Sequence, residues 1–163
     1  MALIGRDRAL EDSKVTKAHH ALRQIPEDEC LRLLGGATLG RVALSIGALP
    51  VVLPVNFILD DGDVVLRTSS GSKLDAALAE AVVAFEVDEY DPVYHAGWSV
   101  LLTGRATVIT EPGELDRLRQ LPLRPWAAGE RDNYVRIARQ TLSGRRIGDA
   151  VMHVRHFSHP LPP

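Results

Sequence analysis

The chain has 163 residues, enough for one domain with a substantial core and too few for two of typical size. Hydrophobic residues make up 45% and charged residues 25%, and the formal net charge is −2, so no overall field recruits nucleic acid or an anionic membrane surface. No apolar run approaches the roughly 18 residues of a membrane span, the charged start "MALIGRDRALEDSK" lacks the apolar core of a secretory signal, and Cys30 has no second cysteine to pair with. These features predict a soluble cytoplasmic protein with neither nucleic-acid nor membrane partners.

Residues 1–24 are charged and show no sustained apolar period, which predicts a flexible extension. "PEDECLRLL" (26–34) carries Pro26 and three acids in its first turn, suited to the positive end of a helix. Cys30, Leu31 and Leu34 give that helix an apolar face, and Gly35 and Gly36 end it. From residue 40 the period becomes that of strands. "GRVALSI" (40–46) and "VVLPVNFIL" (51–59) are joined by a hairpin at Gly47 and Ala48. "DDGD" (60–63) is a second turn, and "VVLRT" (64–68) a third strand. Pro54 cannot donate to a ladder, so it marks an edge, a bulge or a place where a ligand replaces a neighbouring strand.

After a short helix, "AVVAFEVDEY" (81–90) and "WSVLLTGRATVIT" (98–110) read as strands, with a bend or bulge at Gly104. "EPGELDRLRQL" (111–121) has acids early and arginines late, as a helix dipole favours. A Pro-rich loop (122–132) precedes "NYVRIARQTLSGRRI" (133–147), which contains a final strand. Hairpins dominate and short helices interrupt them. The predicted class is mainly β with α+β character, a small antiparallel barrel over 25–147 with a C-terminal tail over 148–163.

The stretch between the third strand and the next helix, "RTSSGSKLDAAL" (67–78), carries the most chemistry. Ser72 with Asp75 three residues later forms a capping box, which starts the helix at Lys73. Arg67 offers a planar fork to phosphate oxygens and Lys73 a flexible point charge. Thr68, Ser69 and Ser72 add hydroxyl donors, and the free N–H groups of a helix start favour an anion. A phosphate cradle and a solvated, well-capped turn satisfy these residue types equally. Along "VLPVNF", Val52 and Val55 offer apolar walls and Asn56 a two-way amide contact for a flat heteroaromatic ring.

Other motifs carry less. "GGATLG" (35–40) lacks the dinucleotide spacing and precedes a strand, and "GSK" (71–73) inverts the P-loop order. Trp98 either fills core or covers a ring, and Trp126 packs against a ligand or a second subunit. His153, His156 and His159, like His19 and His20, lie in terminal segments without the fixed scaffold a metal needs. His95 sits in a loop at a possible site rim. Cys30 reads as core, and no nucleophile–base pair can be placed.

"LGRVALSIGALPVVLPVNFILDDGDVVLRTSSGSKL", "VAFEVDEYDP" and "GWSVLLTGRATVI", in this order and spacing, resemble the pyridoxamine 5′-phosphate oxidase-like superfamily, including its nitroimidazole-resistance-type branch. The resemblance spans residues 26–147. It implies a six-stranded split β-barrel, a homodimer and FMN at the subunit interface. Carried onto this chain, Arg67, Thr68, Ser69, Ser72 and Lys73 would hold the flavin phosphate. Pro54, Val55 and Asn56 would run along the isoalloxazine ring, with Trp98 near the site. It further implies a flavin-dependent oxidoreductase acting on a small-molecule substrate or electron donor. The alternative is a non-catalytic protein that stores or senses flavin, the deazaflavin F420 or haem, as related branches do. The ending "HVRHFSHPLPP" lacks the basic segment that completes the substrate site of true pyridoxamine phosphate oxidases, so that substrate is not expected.

Overall fold

The computed structural model describes residues 22–68, 73–123 and 133–148, apart from the side chains of Lys73, Asp75 and Ala77. Strand β1 (Arg23–Ile25) leads into helix α1 (Glu27–Gly36), with Pro26 as its N-cap and Glu27, Asp28 and Glu29 in its first turn. Cys30 and Leu34 are the buried positions of α1, which packs against the barrel. Then β2 (Leu39–Ile46), β3 (Leu49–Asp60) and β4 (Asp63–Thr68) follow as two consecutive hairpins. Their turn residues Gly47, Ala48, Asp61 and Gly62 all have positive φ, the geometry that lets a two-residue turn follow the strand twist.

Helix α2 (Lys73–Leu78) begins at the residue the capping box predicts. Beyond it, β5 (Val82–Asp91) and β6 (Ala96–Ile109) form a long hairpin, and α3 (Pro112–Arg119) is capped by the Glu111 carboxylate. The closing segment differs from expectation. One strand was predicted within 133–147, and the structure has two, β7 (Asn133–Ile137) and β8 (Thr141–Ile147). The extension expected over 1–24 likewise ends in a strand, because Arg23–Ile25 pairs with β8; residues 1–21 lie outside the described part.

The strands pair in the order β6–β5–β2–β3–β4–β7, and β7 pairs back onto β6. This closed ring is the six-stranded antiparallel barrel the sequence predicts, with β8 and β1 added beside β6. Val42, Phe57, Val64, Leu66, Phe85, Val100, Leu102, Val135 and Ile137 fill its interior. Phe57 and Phe85 meet there edge to face, with centroids 4.7 Å apart. A second, smaller core of Val65, Ile109, Leu118, Leu123 and Tyr134 lies on the outside, beneath α3.

Closure depends on β6. Residues 97–103 pair with β8 and residues 106–109 pair with β7 along the same edge. The chain crosses from β7 to β8 at residues 138–140, where the Ala138 N–H donates to the Arg105 carbonyl and the Gln140 N–H to the Thr103 carbonyl. Gly104 sits under this crossing, and a Cβ there would lie 1.6 Å from the Ala138 carbonyl oxygen. The bend predicted at Gly104 is thus a close approach of backbone. Gly104→Ala is expected to lower stability by about 3 kcal/mol, read as a reduced urea midpoint. Gly36→Ala, whose added methyl meets nothing within 4 Å, leaves the midpoint nearly unchanged.

Candidate functional site

Strand β3 is longer than either of its partners requires. Its residues 49–56 pair with β2, and only its residues 57–60 pair with β4. Among the described residues no strand pairs with the second edge of 49–56. The barrel therefore forks here, and Pro54, which has no N–H for a ladder, lies beside the open edge. One register step beyond the last β3–β4 pair, Phe57↔Leu66, Asn56 and Arg67 stand at matching positions on the two arms of the fork.

Alternation decides which side chains meet there. Val55, Phe57 and Leu59 belong to the barrel core, whereas Ile58 packs in the outer cluster. Pro54 and Asn56 share the outer face with Ile58. By the same rule Leu66 points inward, while Val65 and Arg67 face out. The Arg67 guanidinium carbon lies 5.1 Å from the centre of the Tyr134 ring, its register partner on β7, a cation–π contact that gives the charge a defined place. The Asn56 amide donates from Nδ2 to the Thr38 carbonyl at 3.2 Å. Pro54 is paired with Arg41 on β2, whose guanidinium donates to Glu86 at 3.1 Å and to Asp88. Burial, helped by Asp88, pushes the Glu86 carboxyl up.

The structure thus gathers Pro54, Asn56 and Arg67 on one outer strip. Thr68 ends β4 and is only 1% exposed, so its side chain is turned away from that strip. Val55 lines the interior and offers the strip only its backbone. Lys73 is the first residue of α2; Ser69 and Ser72, like Trp126 and the terminal histidines, lie outside the described residues. Trp98 is set apart. It is packed in the core on β6, with two strands between it and β3, and its indole N–H donates to Glu89 at 3.0 Å. His95 instead bonds Tyr90 at the β5–β6 turn.

Sequence reasoning missed a cleft of about 500 Å³ next to Asn56. Its walls come from the end of α1 (Ala37, Thr38), from β3 (Asn56, Ile58) and from Leu121 and Leu123 after α3. The last two are held by α3, and α3 by an ion cluster on the outer wall. Arg117 donates to both oxygens of Asp60 at 2.7 and 2.8 Å, and Arg136 donates to Asp60 and Glu114, each at 2.7 Å. Hydrogen bonds from Arg117, then from Arg136, hold the nearly buried Asp60 carboxyl well below the usual carboxylate range. Asp60 and Arg136 are 76 residues apart. The β3–β4 and β4–β7 pairings together bring them side by side, so no local motif announces them.

A closed six-strand antiparallel barrel with a forked third strand and a cationic outer strip defines a split barrel. Residues 26–146 match the family model described as pyridoxamine 5′-phosphate oxidase, and the chain belongs to that family. It is 38% identical over 129 residues to an uncharacterised protein of Mycobacterium tuberculosis, covering 76% of this chain and 84% of the relative. Among solved structures, an FAD binding protein from Mycobacterium smegmatis is 30% identical with a TM-score of 0.70, over 78% of this chain and all of that one (100%). A candidate 5-nitroimidazole antibiotic resistance protein from Bacteroides thetaiotaomicron is 14% identical with a TM-score of 0.65, over 78% and 88% of the two chains, and shares the fold. No helix among the described residues is long and apolar enough to cross a membrane.

The ion cluster makes the cleft wall sensitive to acid. A carboxyl whose folded pKa lies below its unfolded value of about 3.9 stabilises the fold above that pH and stops doing so as pH falls through the folded value. Asp60→Asn is expected to lower stability by about 2–3 kcal/mol at neutral pH, because two arginines lose their shared anion. The difference from wild type should shrink below roughly pH 4 in urea melts run as a pH series.

Proposed function

We propose that this chain is a flavin-nucleotide-binding oxidoreductase that works as a homodimer on a small-molecule substrate. The observation that carries the reading is the fork. It puts a cation, an amide and an open β-edge along one outer strip, in the order a flavin's phosphate and ring require. Arg67 is aimed by Tyr134 and would hold the phosphate together with Lys73, while Pro54 and Asn56 would border the ring. Helix α2 is only six residues long, so the cationic side chains, more than a helix dipole, would hold the anion. FMN is the smallest nucleotide that uses both halves of this strip. The family membership and the 30%-identical FAD binding protein support a flavin over other phosphorylated ligands.

When bound, a flavin supplies hydride and electron transfer, which explains why the strip needs no nucleophile–base pair of its own. The residues of the chain bind, orient and exclude water. A second copy supports that last role. The outer face beside the strip carries Val52, Ala43, Ala84 and Thr103 in one register row, with exposed Leu101 next to it. This weakly polar row, flanked by the paired charges of Arg41, Glu86 and Asp88, suits packing against its own twofold mate.

Purified protein is expected to carry, or take up, a chromophore absorbing near ~450 nm that bleaches on anaerobic reduction. Protein that stays colourless with added flavin contradicts the reading. Bound flavin that no reductant bleaches favours storage or sensing instead. Arg67→Ala should weaken FMN by about 10- to 100-fold, the worth of a charge-assisted hydrogen bond. Riboflavin, which lacks the phosphate, should change little; equal losses for both ligands would show that Arg67 does not hold phosphate.

A further inference from the structure

From Leu39 to Asn56, strands β2 and β3 and their turn carry one charged residue, Arg41. Its register partner on β3 is Pro54, and its register partner on β5 is Glu86. Alternation puts Arg41, Glu86 and Asp88 on the outer face with Pro54, because Val42, Phe85 and Val87 on the same strands fill the core. The Arg41 backbone is therefore one strand spacing from Pro54, about 5 Å, and the Glu86 backbone is two, about 10 Å. The charge lies beside the border proposed for the flavin ring.

Fold stability does not account for these charges. The Arg41 guanidinium donates to Glu86 at 3.1 Å and to Asp88, so two carboxylates share one cation. All three side chains are partly exposed, and exposed ion pairs contribute little to a fold. They also interrupt a face on which the next row is Val52, Ala43 and Ala84, and Leu101 stands opposite Glu86. Their place beside Pro54 does suit redox chemistry. Two-electron reduction of a flavin adds two electrons and one proton to the ring, leaving it one unit more negative. A single charge about 10 Å away, at the effective dielectric of a protein surface, changes the stability of that added charge roughly tenfold. Removing the cation and removing either anion must then act in opposite directions.

We infer that Arg41 raises the reduction potential of the flavin lying along Pro54–Asn56, and that Glu86 and Asp88 hold its guanidinium in place and temper its charge. This rests on the flavin reading above and deepens it, by naming the side chain that favours the reduced ring. Arg67 and Arg41 then divide the work along the strip: Arg67 holds the phosphate in either redox state, and Arg41 discriminates between the two states of the ring. A second copy packed on this face would exclude water from the cluster and strengthen its field.

The test is the two-electron reduction potential of FMN bound to the full chain, measured anaerobically with dithionite against a reference dye. At about pH 8 carboxyl groups of ordinary or moderately raised pKa are ionised. Arg41→Gln should weaken reduced FMN about tenfold relative to oxidised FMN, a fall of about 30 mV in potential. Arg41→Lys, which keeps the charge, should stay close to wild type. Glu86→Gln and Asp88→Asn, which each remove an anion and keep Arg41, should raise the potential. An Arg41→Gln protein that binds FMN at an unchanged potential overturns the role of Arg41 and leaves the flavin reading standing. So do Arg41→Gln and Asp88→Asn shifts of the same sign, which is what general loosening of the site would give. If Arg41→Gln does not fold, the two carboxylate variants decide alone, and the absence of a rise in both overturns the inference. Wild-type protein that takes up no FMN overturns the flavin reading itself.

Discussion

One edge of β6 has to serve two strands. Fourteen residues long, it pairs with β8 along its first half and with β7 along its second, and the crossing chain presses its Ala138 carbonyl onto Gly104. Had β6 kept a single partner on that edge, β7 would have no second neighbour and the ring of six strands would stay open. Because the ring closes, β4 is fixed between β3 and β7. Arg67 then has Tyr134 on one side and the end of β3 on the other. The close approach of backbone at Gly104 is thus the point from which the geometry of the outer strip follows.

The fork in β3 is the second consequence. A barrel with strands of equal length would pair all of β3 and cover its polar edge. Here β4 leaves after Thr68, and β3 continues alone on that side from Asn56 back to Leu49. The cost of leaving backbone groups unpaired by strands is lowered at Pro54, which has no N–H to satisfy. Across the strip, the Asp60–Arg117–Arg136–Glu114 cluster ties α3 down and so holds Leu121 and Leu123 at the cleft rim. Stability and binding geometry are separated in space: the ion cluster braces the wall beneath α3, and the flavin is proposed to lie along the Pro54–Arg67 strip.

Much of this was legible in the sequence because it is local. The two-residue turns at Gly47–Ala48 and Asp61–Gly62, the strand periods and the start of α2 at Lys73 are all set by neighbouring residues. The edge character of Pro54 follows from the covalent structure of proline, and the structure bears it out. What the sequence hid is long-range. The segment 133–147 looked like one strand because its period barely changes, and the break at residues 138–140 exists only because the chain must step across β6. Tyr134 as the seat for Arg67 and Asp60 as the anchor for α3 need pairings across 67 and 76 residues. The cleft needs α1, β3 and the segment after α3 at once. Trp98 likewise needs the pairing order: within one chain it is core on β6, with two strands between it and β3.

The central claim is that the fork between β3 and β4 holds a flavin with its phosphate end at Arg67. A crystal structure of the protein grown with FMN tests it most directly. The account predicts the FMN phosphate within hydrogen-bonding distance of the Arg67 guanidinium and the isoalloxazine running along Pro54–Asn56 toward the open edge. Flavin bound elsewhere on the barrel, or in the fork with its phosphate turned away from Arg67, would contradict it.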